Sequence, residues 1–318
     1  MNNTSIKRIS WIDWAKFLCI TMVVMGHAWP PSIVSQYIYS FHIPSFFIIS
    51  GFLYKRHSAL QTLKRLAIPV LFFSFVNLFY FLAKSIMIYH LSFGESFSHM
   101  CIFKYRYDQG DTMFTGLWFI EVLFVGRLLL GDLWKSLNLK FYYLVASLFV
   151  LIMIMLSYFN YNSFWIYYIS RIIPCFPFLV VGLYLKKQDR INAIISTNYI
   201  YMILPIFMLL VFINGECDIF SNTYGFSYIL FFFNACAMSF VLFKLCSKLP
   251  HNTFVETLSR GTLVVLGVHS IVIDMIVDIF NMLSLDRFVF IASPILTCII
   301  SFYVTTFLIK KVPILVGA

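Results

Sequence analysis

About ten runs of roughly 20 apolar residues follow one another along this chain, and that recurrence decides its fold class. Lipid offers no hydrogen bonds, so a backbone crossing it must satisfy its own N–H and C=O groups. A helix does so within one segment. The expected fold is all-α: a polytopic transmembrane helix bundle, with residues 1–318 as a single domain. Composition points the same way, with 61% hydrophobic and 11% charged residues, against about 25% charged in soluble domains.

The expected spans are residues 9–29, 38–54, 66–90, 116–134, 141–159, 164–185, 199–213, 224–245, 262–282 and 288–309. Basic residues fall in alternate connections. Sixteen Lys and Arg lie in segments assigned to the inside, against Lys104, Arg106 and Arg287 outside. The positive-inside rule then puts both termini in the cytoplasm and the chain in the cell's inner (cytoplasmic) membrane as a multi-pass protein. The net charge of +10 follows from that bias. No basic run has the interleaving of a nucleic-acid site, so the bilayer is the expected partner and nucleic acid is not. Lys7 and Arg8 before an apolar run resemble a signal peptide, but the run ends His-Ala-Trp-Pro-Pro with no small-x-small cleavage site. An uncleaved first span is expected.

The first span carries Asp13, Lys16 and His27 in an otherwise apolar body. Ionisable groups in a bilayer are costly, and they face a bundle interior or a water-filled cavity. Lys16 and His27 stand eleven residues apart, which returns to within about 20° of one face and separates them by about 16 Å. Asp13 lies about 40° to the other side of His27. One helix thus carries a base near its outer end and a cation nearer the inner one. A polar stripe that only glues helices together is the alternative. His42 is expected to begin the second span near His27, with Pro44 and Gly51 making that helix irregular. His42 can serve as a base near neutrality or simply pack at the interface.

The seven cysteines form no CxxC and mostly sit in apolar runs, as small buried hydrophobes do. Cys101 and Cys217 both fall in outer loops, which permits a disulfide. The seven histidines lack metal-ligand spacing, and no metal is expected.

The stretch RISWIDWAKFLCITMVVMGH, then FHIPSFFIISGFLYK and KRLAIPVLFF, resembles the acyltransferase-3 family, with weaker continuation in GLWFIEVLF, FPFLVVGLYLKK and residues 262–269. The family consists of integral-membrane enzymes that O-acylate carbohydrates, commonly surface polysaccharides, and the resemblance covers essentially the whole chain. It implies an O-acyltransferase in polysaccharide biosynthesis with His27 as general base and Lys16 and Asp13 beside it. The donor it implies is acetyl-CoA, as a substrate and with no bound cofactor. The acceptor would be a lipid-linked or extracytoplasmic glycan. Arg8, Lys64 and Arg65 would hold donor phosphates. The family's pair of arginines three apart falls here on Thr62 and Arg65, so one arginine is missing; Lys64 offers a point charge instead of a fork.

His42, Ser50, Trp118, Glu121, Arg171 and His269 are candidates to bind the acceptor. An aromatic beside a carboxylate suits a sugar, and Trp118 and Glu121 equally suit an interfacial aromatic and a helix-pairing acid. Arg171 could pair with Glu121 or stabilise an oxyanion. Asp274 and Asp278 share a helix face and could form a polar wall, a proton path or an ion pair with Arg171. Pro174 and Pro177 are expected to kink the sixth span. A transporter or flippase for a glycan or small molecule would also use intramembrane charges and broken helices. A polysaccharide polymerase would more often need a larger outer loop. Motif order favours the acyltransferase.

Overall fold

The computed structural model describes residues 9–88, 90, 92–94, 117–132, 138–158 and 171–317. Its helices are α1 (Ser10–His27), α2 (Ser32–Phe52), α3 (Ala59–Met87), α4 (Leu117–Arg127), α5 (Leu139–Tyr158) and α6 (Ile172–Lys187). Then come α7 (Ile191–Ser196), α8 (Tyr199–Asn214), α9 (Tyr228–Ser247), α10 (Thr253–Arg260), α11 (Thr262–Met282) and α12 (Val289–Lys311). A small hairpin, β1 (Cys217–Asp218) against β2 (Thr223–Tyr224), joins α8 to α9.

Among the described residues, five helical stretches are long and apolar enough to cross a membrane: Ala59–Met87, Leu139–Ser157, Tyr228–Ser247, Thr262–Met282 and Asp286–Lys311. The other expected spans correspond to α1, α2, α4, α6 and α8, which are shorter or more polar. The lipid-facing sides of α3 and α5 expose Phe75, Phe79, Leu144, Leu148 and Leu151. Apolar side chains turned outward and polar ones turned inward are what a bilayer demands.

Several boundaries differ from expectation, each for a local reason. α2 begins six residues before the expected start at residue 38, directly after Pro31. The polar residues that hid this turn have partners: Gln36 Nε2 donates to the carbonyls of Val211 and Phe212, and Tyr37 Oη to that of Met208. They satisfy carbonyls at the end of α8. His42 therefore lies in mid-helix rather than at its start. α3 begins at Ala59, where Ser58 and Gln61 form a reciprocal capping box. Lys64 and Arg65 thus sit inside the helix instead of preceding it. The connection between α9 and α11 holds a further helix, α10, capped by Asn252, whose Oδ1 accepts from the Val255 N–H at 3.1 Å.

The expected irregularity of α2 is absent. The helix runs unbroken through Pro44 and Gly51. Gly51 instead allows close approach: a Cβ there would lie 2.0 Å from the carbonyl oxygen of Leu179, and one at Gly182 would lie 1.9 Å from that of Ile48. Two glycines on facing helices let the α2 and α6 backbones touch, as small residues do in membrane bundles. α6 is helical from Ile172 onward through Pro174 and Pro177. Pro174 lies in its first turn, where a missing N–H leaves no bond unmade. The expected earlier part of that span lies outside the described residues, as do Cys101 and Arg8.

Asp274 and Asp278 do not pair with Arg171. Both are taken by Lys84 of α3, at 2.7 Å and 2.6 Å, and Tyr80 Oη donates to Asp274 at 2.8 Å. One turn and more away, Asn77 Nδ2 donates to the carbonyls of Phe73 and Gly267. The α3–α11 seam is therefore a polar zipper with a buried ammonium in it.

Two predictions follow from these seams. Gly182→Leu should force α2 and α6 apart and lower stability by about 1–3 kcal/mol, read as a fall in the unfolding midpoint in detergent. Lys84→Ala should leave two partly exposed carboxylates facing each other and cost about 1–3 kcal/mol, while the triple change with Asp274→Asn and Asp278→Asn should recover much of the loss.

Candidate active site

Three histidines from three helices meet near one end of α1. His27 ends that helix, after which the chain turns through Trp29, with φ 50°, into Pro30. His27 is solvent-exposed, whereas its neighbours Val23, Val24 and Ala28 are buried. The His269 ring of α11 lies 5.1 Å from that of His27 and is 0% exposed. His42 of α2 is 2% exposed and packs edge-on against Tyr39, 5.3 Å between ring centres. Access from solvent therefore stops at His27, with the other two histidines buried nearby.

The two buried rings have defined tautomers. His42 Nδ1 lies 2.6 Å from the carbonyl oxygen of Ile38, and His269 Nδ1 lies 2.7 Å from that of Leu266. A carbonyl only accepts, so each Nδ1 carries the hydrogen and each neutral ring leaves Nε2 as an acceptor.

The hairpin contributes residues that sequence reading passed over. Asp218 acts electrostatically on both His27 and Tyr39. Its carboxylate is held in its own turn: Oδ1 accepts from the N–H of Phe220, and Oδ2 from the N–H and Oγ of Ser221. Gly225, with φ 63°, brings the hairpin against Asn214, whose side chain bonds the Tyr224 carbonyl and the Ser227 N–H. Cys217 of β1 is itself buried, and burial pushes its thiol up to about 12.

Beside the hairpin, Arg171 is 2% exposed at the start of α6. Its guanidinium lies 4.2 Å from the Phe220 ring centre and 5.9 Å from that of Trp118, and its Nε donates to the Phe220 carbonyl at 3.0 Å. The Trp118 and Phe220 rings are 5.9 Å apart. Arg171 also acts electrostatically on Glu121, which is exposed on α4. Trp118, Arg171 and Glu121 thus come together as a cation-backed aromatic surface, and Phe220 joins them. Ser50 is half-buried but lies about 12 Å along α2 from His42, so it is not brought to the histidines.

The other end of α1 is tied to α10. Asp13 is 5% exposed and accepts from Ser259 Oγ at 2.6 Å. Lys16 Nζ donates to the carbonyl of the same residue. Trp14 Nε1 reaches the Pro250 carbonyl at 2.8 Å, and Phe17 packs edge-on to Phe254. Lys64 and Arg65 are exposed at the start of α3, and Arg65 Nη1 lies 3.2 Å from His57 Nε2. The continuous helix keeps Lys16 and His27 about 16 Å apart along its axis. Ser259 was illegible in the sequence, since a serine 246 residues from Asp13 carries no signal of its own.

An accessible imidazole can take a proton from a hydroxyl brought against it. Aromatic faces beside a guanidinium suit a polar, ring-bearing ligand. Among the described residues, no group of three or more His, Cys, Asp or Glu is arranged to hold a metal ion.

Comparison with known proteins returned no match among curated sequences and none among solved structures. A family model described as an acyltransferase domain matches residues 9–309, nearly the whole chain and every helix that builds these two ends. With its apolar helices, the chain is a multi-pass membrane protein and belongs to the acyltransferase-3 family.

Proposed function

We propose that the chain is an O-acyltransferase that moves an acetyl group from cytoplasmic acetyl-CoA to a sugar hydroxyl of a surface polysaccharide. The observation that carries this reading is the exposed His27 at the end of α1, acted on by Asp218 of the same turn that brings Phe220 to Arg171, within a family match to residues 9–309. The same reading includes about ten spans, cytoplasmic termini and an inner-membrane location, supported by the charge bias of the loops.

In this reading Arg8, Lys64 and Arg65 meet the donor phosphates at the cytoplasmic end, with Lys16 farther in. Asp13 and Lys16 hold α1 to α10 through Ser259, so they set the shape of that end as well as its charge. The acceptor sugar lies against Trp118 and Arg171, with Glu121 and His42 nearby. His27 takes the proton of the attacking hydroxyl. The oxygen–carbonyl bond forms, the carbon–sulfur bond breaks, and the departing thiolate receives that proton from His27. The separation of about 16 Å between Lys16 and His27 along α1 suits a substrate with a charged head and a distant thioester.

The test is acyl transfer in liposomes from radiolabelled acetyl-CoA to a lipid-linked glycan extract. Label should reach the glycan with wild type. His27→Ala should lower kcat by about 10²–10⁴-fold while the protein still folds, read as a retained cooperative unfolding transition. A fully active His27→Ala protein removes the base from this scheme. Glycan crossing the membrane with no label from any acyl-CoA would replace the scheme with a transporter. Lys64→Ala with Arg65→Ala should raise the donor KM with little change in kcat, as lost ground-state phosphate contacts do.

A further inference from the structure

His269 has a task that acceptor binding does not explain. Its ring is 0% exposed, so a ligand does not reach it directly. Its Nδ1 hydrogen is committed to the Leu266 carbonyl at 2.7 Å. Its Nε2 is buried and has no hydrogen-bond partner among the described residues. An unmet acceptor in a protein interior costs about 1–3 kcal/mol, so such a group calls for a donor. The His27 ring is 5.1 Å away, centre to centre, with the planes inclined by 42°.

The neighbouring groups are less suited to receive a hydrogen from His27. The Asp218 carboxylate already accepts three hydrogen bonds within its own turn. The His42 ring packs edge-on against Tyr39. His269 offers a single bare nitrogen, fixed in tautomer by its backbone bond and held on a buried helix face.

We propose that His269 is a positioning residue for His27: its Nε2 accepts the N–H of the His27 ring. That bond decides which His27 nitrogen carries the hydrogen and leaves the other bare for the attacking hydroxyl. A turn of the exposed His27 side chain brings the two rings into that bond. The proposal rests on the reading of His27 as the general base. On that reading, His27 gains the hydroxyl proton on its free nitrogen and returns it to the thiolate, while the hydrogen shared with His269 stays in place. His269 then gains and loses no proton. It stabilises the transient imidazolium by accepting from it, as a carboxylate does in a hydrolase triad.

The experiment has two arms on full-length protein in lipid nanodiscs. The first records ¹⁵N spectra of histidine-labelled protein, with signals assigned by His27→Gln and His269→Gln. Wild type should show His27 in one tautomer, and His269→Leu should convert it to a mixture. An unchanged His27 tautomer in His269→Leu would overturn the proposal, and this arm needs no enzymatic activity. The second arm is the transfer assay. His269→Leu should lower kcat at least 100-fold with the donor KM within about threefold, and His269→Gln, whose amide oxygen can accept, should recover at least tenfold over Leu. Equal activity of Leu and Gln variants with matched unfolding midpoints would also overturn it. Absence of transfer in wild type would count against the acyltransferase reading alone, leaving the spectra to decide the histidine pair.

Discussion

A carboxylate and an ammonium inside a membrane helix must find partners within the protein, and Ser259 supplies one to each. Its hydroxyl donates to Asp13 and its carbonyl accepts from Lys16. In an apolar environment an unmet charge costs several kcal/mol, and Ser259 contributes to meeting both. The bond to α10 also fixes where α1 sits along its own axis. Because α1 is one unbroken helix, fixing one end of it fixes the height of His27 at the other.

The α2–α6 contact performs the matching task for the opposite wall. Gly51 and Gly182 let the two backbones meet, and α6 then continues back to Arg171. Thus the glycines at one end of the pair, remote from any chemistry, determine how the cation at the other end sits over Phe220. Membrane bundles lack a hydrophobic drive between helices, so such close contacts carry much of the packing. The aromatic core around Phe47, Phe176, Phe178 and Phe231 fills what remains.

What the sequence revealed depended on contrast. Asp13, Lys16 and His27 were legible because ionisable groups stand out in an apolar run. The family and the helical membrane class were legible for related reasons, in motifs and in the recurrence of apolar segments. Lys84 was not: it sits near the end of a span, where a lysine reads as an interfacial residue reaching for water. Its partners on α11 read as a pair on one face, open to a polar wall, a proton path or an ion pair with Arg171. The meeting of His27 with His269 and the position of the Asp218 turn arise only from tertiary packing. The start of α2 is illegible in the sequence because Gln36 and Tyr37 look like loop residues until the open carbonyls of α8 are placed beside them.

The Lys84 cluster also bears on how the protein is made. Lys84 and Asp274 are 190 residues apart in the chain. A ribosome delivers α3 to the membrane well before α11 exists, at about 5–20 residues per second. During that interval the lysine has neither aspartate to neutralise it, so α3 must wait in an incomplete setting, with its ammonium drawn toward the interface. Arrival of α11 ends the wait and draws the charge inward. The ion cluster is thus a late latch in assembly: the α3–α11 seam closes only after most of the bundle has been inserted.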